Sequence, residues 1–187
     1  MFALSPFAFP SISVPTAEGD MELISSTTLT AKSGTISTGT LPTGYRDLVI
    51  RGQLRTDSAF SAESVLVAFN GDTTNANYTY VRDISNATQA TFQCNVAGSE
   101  RYVAIAASNN ATANAFGVFT LTIYSHEGTT NLKSYNSVSG IINTSTSLNT
   151  NRTSGRRASV EAITTISLSP SQGDFVAGSS IAVYGLK

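Results

Sequence analysis

Asp47-Leu48-Val49-Ile50-Arg51-Gly52-Gln53-Leu54-Arg55 is the stretch whose reading decides the fold. In an extended chain Leu48, Ile50 and Leu54 fall on one side and Val49, Arg51, Gln53 and Arg55 on the other. That is the period-two pattern of a half-buried strand. Val65-Leu66-Val67-Ala68-Phe69 is apolar on both sides, as the middle of a sandwich requires, and stops at Asn70-Gly71-Asp72. Asn-Gly supplies the positive φ of a tight turn. Working outward, β-forming runs recur at 21–29, 34–41, 78–84, 90–96, 102–106, 116–124, 131–140, 162–169 and 179–186. Pro42-Thr43-Gly44 and Pro170-Ser171-Gln172-Gly173-Asp174 read as turns between them. The span 142–159 is mostly Asn, Thr, Ser and Arg, and reads as a long surface loop or an irregular edge strand. No helix is expected, because Asn109-Asn110 interrupts the alanines between Ala104 and Ala115. About ten short strands with turns between them predict an all-β, antiparallel β-sandwich. The long connections favour a jelly roll over a simple meander.

Composition narrows the function classes. Of 187 residues, 41% are hydrophobic and only 12% charged, with a formal net charge of −1. Ser and Thr make up roughly a quarter of the chain, so small neutral polar groups provide the solvation. Disorder needs low hydrophobicity with high net charge, which this is not. No apolar run approaches the roughly 20 residues of a membrane span. A near-neutral balance also argues against nucleic acid as a partner.

Little material exists for chemistry. Cys94 has no second cysteine to pair with and reads as a small buried hydrophobe in a strand. His126, in Tyr124-Ser125-His126-Glu127-Gly128, reads as a solvated loop histidine, since no Gly-x-Ser-x-Gly elbow or partner constellation accompanies it. The loop Asn70–Asn77 offers oxygen ligands but lacks the carboxylates of a calcium loop, and reads as a turn closed by Asn and Asp side chains. No phosphate-binding loop is present. The sequence thus predicts no enzyme, no metal site and no cofactor. Arg152, Arg156 and Arg157 form a small basic cluster, either a solvated loop or a seat for an acidic surface or phosphate. Among the tyrosines, Tyr78 and Tyr80 are the candidate glycan contacts, with half-buried packing as the plainer role.

The first eighteen residues are of another kind. Phe2, Leu4, Phe7, Phe9, Ile12 and Val14 alternate with small residues and with Pro6, Pro10 and Pro15. Prolines rule out a helix or a central strand, and with no basic leading region the stretch does not read as a secretory signal. Residues 1–18 therefore read as an extended arm and 19–187 as the sandwich, with Glu18-Gly19-Asp20 as the hinge. Exposed phenylalanines are a liability on a monomer, so the arm is expected to dock through those six apolar side chains, on its own domain in the plainer reading and on a neighbouring subunit or larger assembly in the preferred one.

Four segments carry a likeness: Tyr45–Arg51; Arg55-Thr56-Asp57; Phe69–Asp72 with Asn77-Tyr78; and Ile163–Leu168 followed by Phe175–Gly185. In this order they resemble a family of tailed-bacteriophage virion modules, tail-fibre-like or decoration proteins, over roughly Met21 to Leu186. The resemblance implies an antiparallel β-sandwich serving in the virion rather than in catalysis. It carries over no catalytic residue and does not include the arm. The expected function is a non-enzymatic virion structural protein, foremost a capsid decoration or cement protein attached through its arm. The alternative is a receptor- or glycan-binding module of a tail or head fibre. Expected partners are the major capsid protein or a tail or vertex protein, and further copies of the chain, with a homotrimer as the symmetric assembly. Expected localisation is the particle surface, after assembly in the host cytoplasm.

Overall fold

Leu48, Ile50 and Leu54 are fully buried while Arg51 and Gln53 are exposed, so the decisive strand alternates as its sequence demands. The protein is known from a computed structural model that describes residues 21–86, 90–95, 100–144 and 147–187. Among these, the strands are β1 (Met21–Thr28), β2 (Ile36–Ser37), β3 (Asp47–Leu54), β4 (Ala62–Phe69), β5 (Tyr78–Ser85) and β6 (Ala90–Asn95). They continue with β7 (Tyr102–Ala107), β8 (Gly117–Tyr124), β9 (Lys133–Thr144), β10 (Ser147–Arg157), β11 (Ile166–Pro170) and β12 (Ser180–Leu186). One sheet has the order β1-β12-β3-β8-β9-β10-β5-β6 and the other β2-β11-β4-β7, with antiparallel pairing throughout both. The protein is an antiparallel β-sandwich. Setting aside β6, β9 and β10, each successive strand lies in the opposite sheet from the one before it.

Between the sheets lies one large apolar cluster that includes Leu48, Ile50, Leu54, Val67, Leu121, Ile123, Leu168 and Val183. At its heart Phe69 meets Tyr78 at 6.0 Å between ring centroids and Tyr135 edge-on at 5.8 Å. Tyr78 keeps its hydroxyl satisfied in the core: it accepts from the Phe69 amide at 3.1 Å and donates to the Asp72 carbonyl at 3.0 Å. This pins the turn after β4, where Asn70 and Gly71 both take the positive φ expected of them, 54° and 73°.

The span 142–159 departs from expectation. It is neither loop nor edge: from Ser147 to Arg157 it forms β10, paired with β9 on one side and β5 on the other. Apolar alternation is missing because its inward positions, among them Asn151, Thr153 and Arg157, are polar yet buried. The run at 34–41 shrinks instead to the two residues of β2, and 162–169 to a strand starting at Ile166.

β7 ends the smaller sheet, and β9 closes that edge with side chains. The Tyr135 hydroxyl donates to the Tyr102 carbonyl at 3.4 Å, Ser137 Oγ donates to the Val103 carbonyl, and the Ile105 amide donates to Ser139 Oγ at 3.2 Å. Unpaired edges invite another chain, and these three bonds remove that invitation. Buried hydroxyls are thus how a Ser-rich strand packs against a strand edge.

Candidate interaction surface

The anticipated site residues scatter when placed in the fold. Phe2, Leu4, Phe7, Phe9, Ile12 and Val14 lie outside the described residues. Cys94 is on β6, but its side chain is also outside the described ones. Tyr78 and Tyr80 are corrected: both are buried, Tyr78 fully and Tyr80 to 5% exposure, so neither offers a ring face to a sugar. Tyr80 packs against Tyr102 at 5.6 Å, and the Arg82 guanidinium covers the Tyr102 ring at 4.3 Å. These tyrosines face inward because β5 and β7 turn them between the sheets.

The arginine cluster divides because neighbours on a strand point to opposite faces. Arg152 and Arg156 face solvent, whereas Arg157 is buried and binds Asp72 through Nε at 3.0 Å and Glu161 through Nη2 at 3.4 Å. Burial pushes the Asp72 carboxyl up, but hydrogen bonds from Asn77 and the Thr74 amide, with the Arg157 charge, hold it below the usual range. Asn70 and Asp72 therefore spend their oxygens closing the turn, as Asn70 Oδ1 also accepts the Thr164 amide at 2.8 Å. Among the described residues no three His, Cys, Asp or Glu side chains gather to hold a metal. Pairing of Asp47, Arg51, Arg55 and Asp57 across a sheet face, which their charges and spacing would permit, is not formed. Arg55 instead caps the carbonyls of Thr112 and Ala115 at 3.0 and 2.6 Å, and Asp57 takes Lys32.

His126 is not solvated but buried where β8 ends, its amide donating to the Arg46 carbonyl at 3.2 Å. Beside it Lys133 is buried too, its ammonium satisfied by the carbonyls of Ser125 and Gly128. Burial holds the His126 imidazole below its ordinary 6.5, although Glu127 lies 3.8 Å away. A depressed histidine contributes stability that is complete above the unfolded value and drains away as pH falls below it. The melting temperature of the wild type is therefore expected to hold down to about pH 6.5 and to drop as pH falls below it, and His126→Gln to flatten that drop. Parallel pH–melting curves for the two proteins would refute this assignment.

What the sequence did not flag is the outer face of the eight-stranded sheet. In register, Val118 on β8 faces Gly140 on β9, and Gly140 faces Thr150 on β10. In the adjoining rows Val138 faces Thr120 and Arg152, and Ile142 faces Leu148. Val118 is 59% exposed and Leu148 56%, and Val138 and Ile142 are exposed to a similar degree. Phe92, in the row of Val138, is 67% exposed. Because Gly140 carries no side chain, a hollow of about 320 Å³ opens between Val118, Thr120, Val138 and Thr150. The outer face of an antiparallel sheet is ordinarily its polar side. Val118, Val138, Ile142 and Leu148 give it an apolar stretch around Gly140 instead, interrupted by Thr120, Thr150 and Arg152. Alternation along 116–124 could have shown Val118 turning outward, but not its meeting with Ile142 and Leu148, which depends on β10 being a strand.

Compared with known proteins, the chain matches no family model, no curated protein and no solved structure.

Proposed function

We propose that this protein is a non-enzymatic structural component of a tailed-bacteriophage particle, decorating or cementing its capsid, with residues 1–18 as the attachment to a neighbouring virion protein. The carrying observation is a division between body and arm. The described residues build both sheets and a large apolar core, while six further large apolar side chains sit in the sequence ahead of β1. Burying such side chains yields roughly 1.5–3 kcal/mol each. Ordering an arm offsets much of that, and a symmetric assembly recovers it through avidity. We read the body as a jelly roll, supported by the strand-by-strand alternation between the sheets. A low-charge surface rich in Ser and Thr suits a shell exterior. The glycan-binding alternative has lost Tyr78 and Tyr80 as its contacts.

Deleting residues 1–18 is the test. Particles assembled with the truncated chain are expected to carry little or none of it by quantitative gel densitometry or mass spectrometry. Undiminished incorporation would sink the attachment reading.

A further inference from the structure

The apolar strip on the outer sheet face and the apolar arm are complementary. We propose that residues 2–14 of one copy lie in the Gly140 furrow of a second copy. This rests on the reading of residues 1–18 as an attachment segment, and it names the surface that receives them.

The spacing of the arm suits a furrow. Phe2 and Leu4, Phe7 and Phe9, and Ile12 and Val14 are three doublets at i, i+2. In an extended chain Phe2, Leu4, Ile12 and Val14 project to one side and Phe7 and Phe9 to the other, so both walls of a furrow receive apolar side chains, the members of each doublet roughly 6.5–7 Å apart. Pro6 and Pro10, between the doublets, remove the amides a strand would need to add to a sheet edge. A sheet face asks for no such bonds, because the backbone of β8, β9 and β10 is already paired on both sides. Gly140 lets the incoming backbone approach closely between Val118 and Val138.

Direction selects the second copy, and charge complements the contact. The acidic residues ahead of Met21 are Glu18 and Asp20. On the receiving face Arg51 and Arg152 flank the strip in the row of Val138, with Asp83 beside Arg152. β1 enters the sheet at Met21, level with Leu186 and Asp47, and reaches the furrow's row only at Thr28. β1 thus begins at the end away from its own furrow, and with residues 2–14 seated the six residues 15–20 can span up to roughly 20 Å toward a neighbour. An arm-to-face contact joins two different surfaces, which makes a ring where the rotation between copies closes, a trimer being a simple case, and an open chain of copies where it does not.

The test uses the full chain. Phe7→p-benzoylphenylalanine is prepared in isotopically light and heavy forms, mixed, irradiated and mapped by mass spectrometry. Crosslinks joining light to heavy chains, from position 7 to residues of β8, β9 or β10, are expected. Crosslinks confined to one chain, or falling elsewhere on the body, would overturn the proposal. In parallel, Gly140→Glu is expected to weaken self-association in sedimentation roughly tenfold or more. It should keep the wild-type melting temperature, because an added Cβ meets nothing nearer than 3.7 Å. Val138→Asp serves as a second variant with the same expectation. Unchanged association in both folded variants, or a wild type that stays monomeric, would equally overturn it. If arm deletion abolishes incorporation while these variants associate normally, the attachment reading stands and this receiving surface alone fails.

Discussion

Asp72→Ala is expected to cost about 3–5 kcal/mol of stability, read as a lowered denaturant midpoint with an unchanged slope. The Arg157 side chain is 7% exposed and rests on the Asp72 carboxylate at 3.0 Å. Removing Asp72 leaves a guanidinium in the protein with only the exposed Glu161 carboxylate, 3.4 Å away, as its acidic partner. Its Nη1 is already buried without a partner, so little reserve exists. The loss also releases the Thr74 amide and Asn77, which Asp72 holds at 3.0 and 2.9 Å. Because this turn leads β4 out of one sheet and into β5 of the other, its loosening reaches the core through Tyr78. A companion experiment separates charge from packing. Asp72→Asn with Arg157→Met removes both charges, and the double variant is expected to be more stable than Asp72→Asn alone, since an unpaired buried charge costs more than a missing pair. A loss below about 1 kcal/mol for Asp72→Ala would place the pair among ordinary surface bridges. The carboxyl is held below its ordinary 3.8. The same interaction is therefore complete above that pH and fades as acid carries the pH below it.

Gly155→Val is expected to cost about 2–4 kcal/mol, from overpacking and from the displacement of an aromatic ring. Gly155 lies opposite Tyr135 in the β9–β10 pair, and the Tyr135 ring folds across it. An added Cβ would stand 2.7 Å from Tyr135 Cε2 and closer still to Cζ and the hydroxyl oxygen. The ring cannot yield cheaply, because it packs edge-on against Phe69 and bonds the β7 edge through its hydroxyl. Thermal melting checks this, with Gly140→Val as the internal control. At that glycine, in the same pair of strands, an added Cβ makes only ordinary contacts, none nearer than 3.7 Å, and a β-branched residue there is expected to leave stability unchanged or slightly raised. Equal effects at the two glycines would show that backbone freedom, not the Tyr135 ring, explains Gly155.

How much of this could be read beforehand varies by residue. The alternation of Leu48, Ile50 and Leu54 needed only the period of a strand, and Asn70-Gly71 needed only the sterics of positive φ; both are local properties and both appear as expected. β10 was illegible for the opposite reason. Asn151, Thr153 and Arg157 are buried by the partners they meet, among them the Tyr102 hydroxyl for Asn151 and Asp72 for Arg157, and no local pattern announces a polar interior. The same holds for His126, which looks like a loop residue until the chain around Arg46 folds over it. Tyr78 and Tyr80 were legible as strand residues, yet which face they occupy depends on which sheet covers β5.

By itself, then, the order of residues determined an all-β body of antiparallel strands, its principal turns, and a chemically distinct apolar stretch over residues 1–18, because dihedral sterics and side-chain periodicity act within a few residues. Only the tertiary structure decided that two sheets of unequal width share one core, and that polar side chains seal an edge and fill a strand's inner face. It also decided that Val118, Val138, Ile142 and Leu148 converge around Gly140. Register between strands far apart in sequence sets those meetings, and register is an outcome of the whole core packing at once.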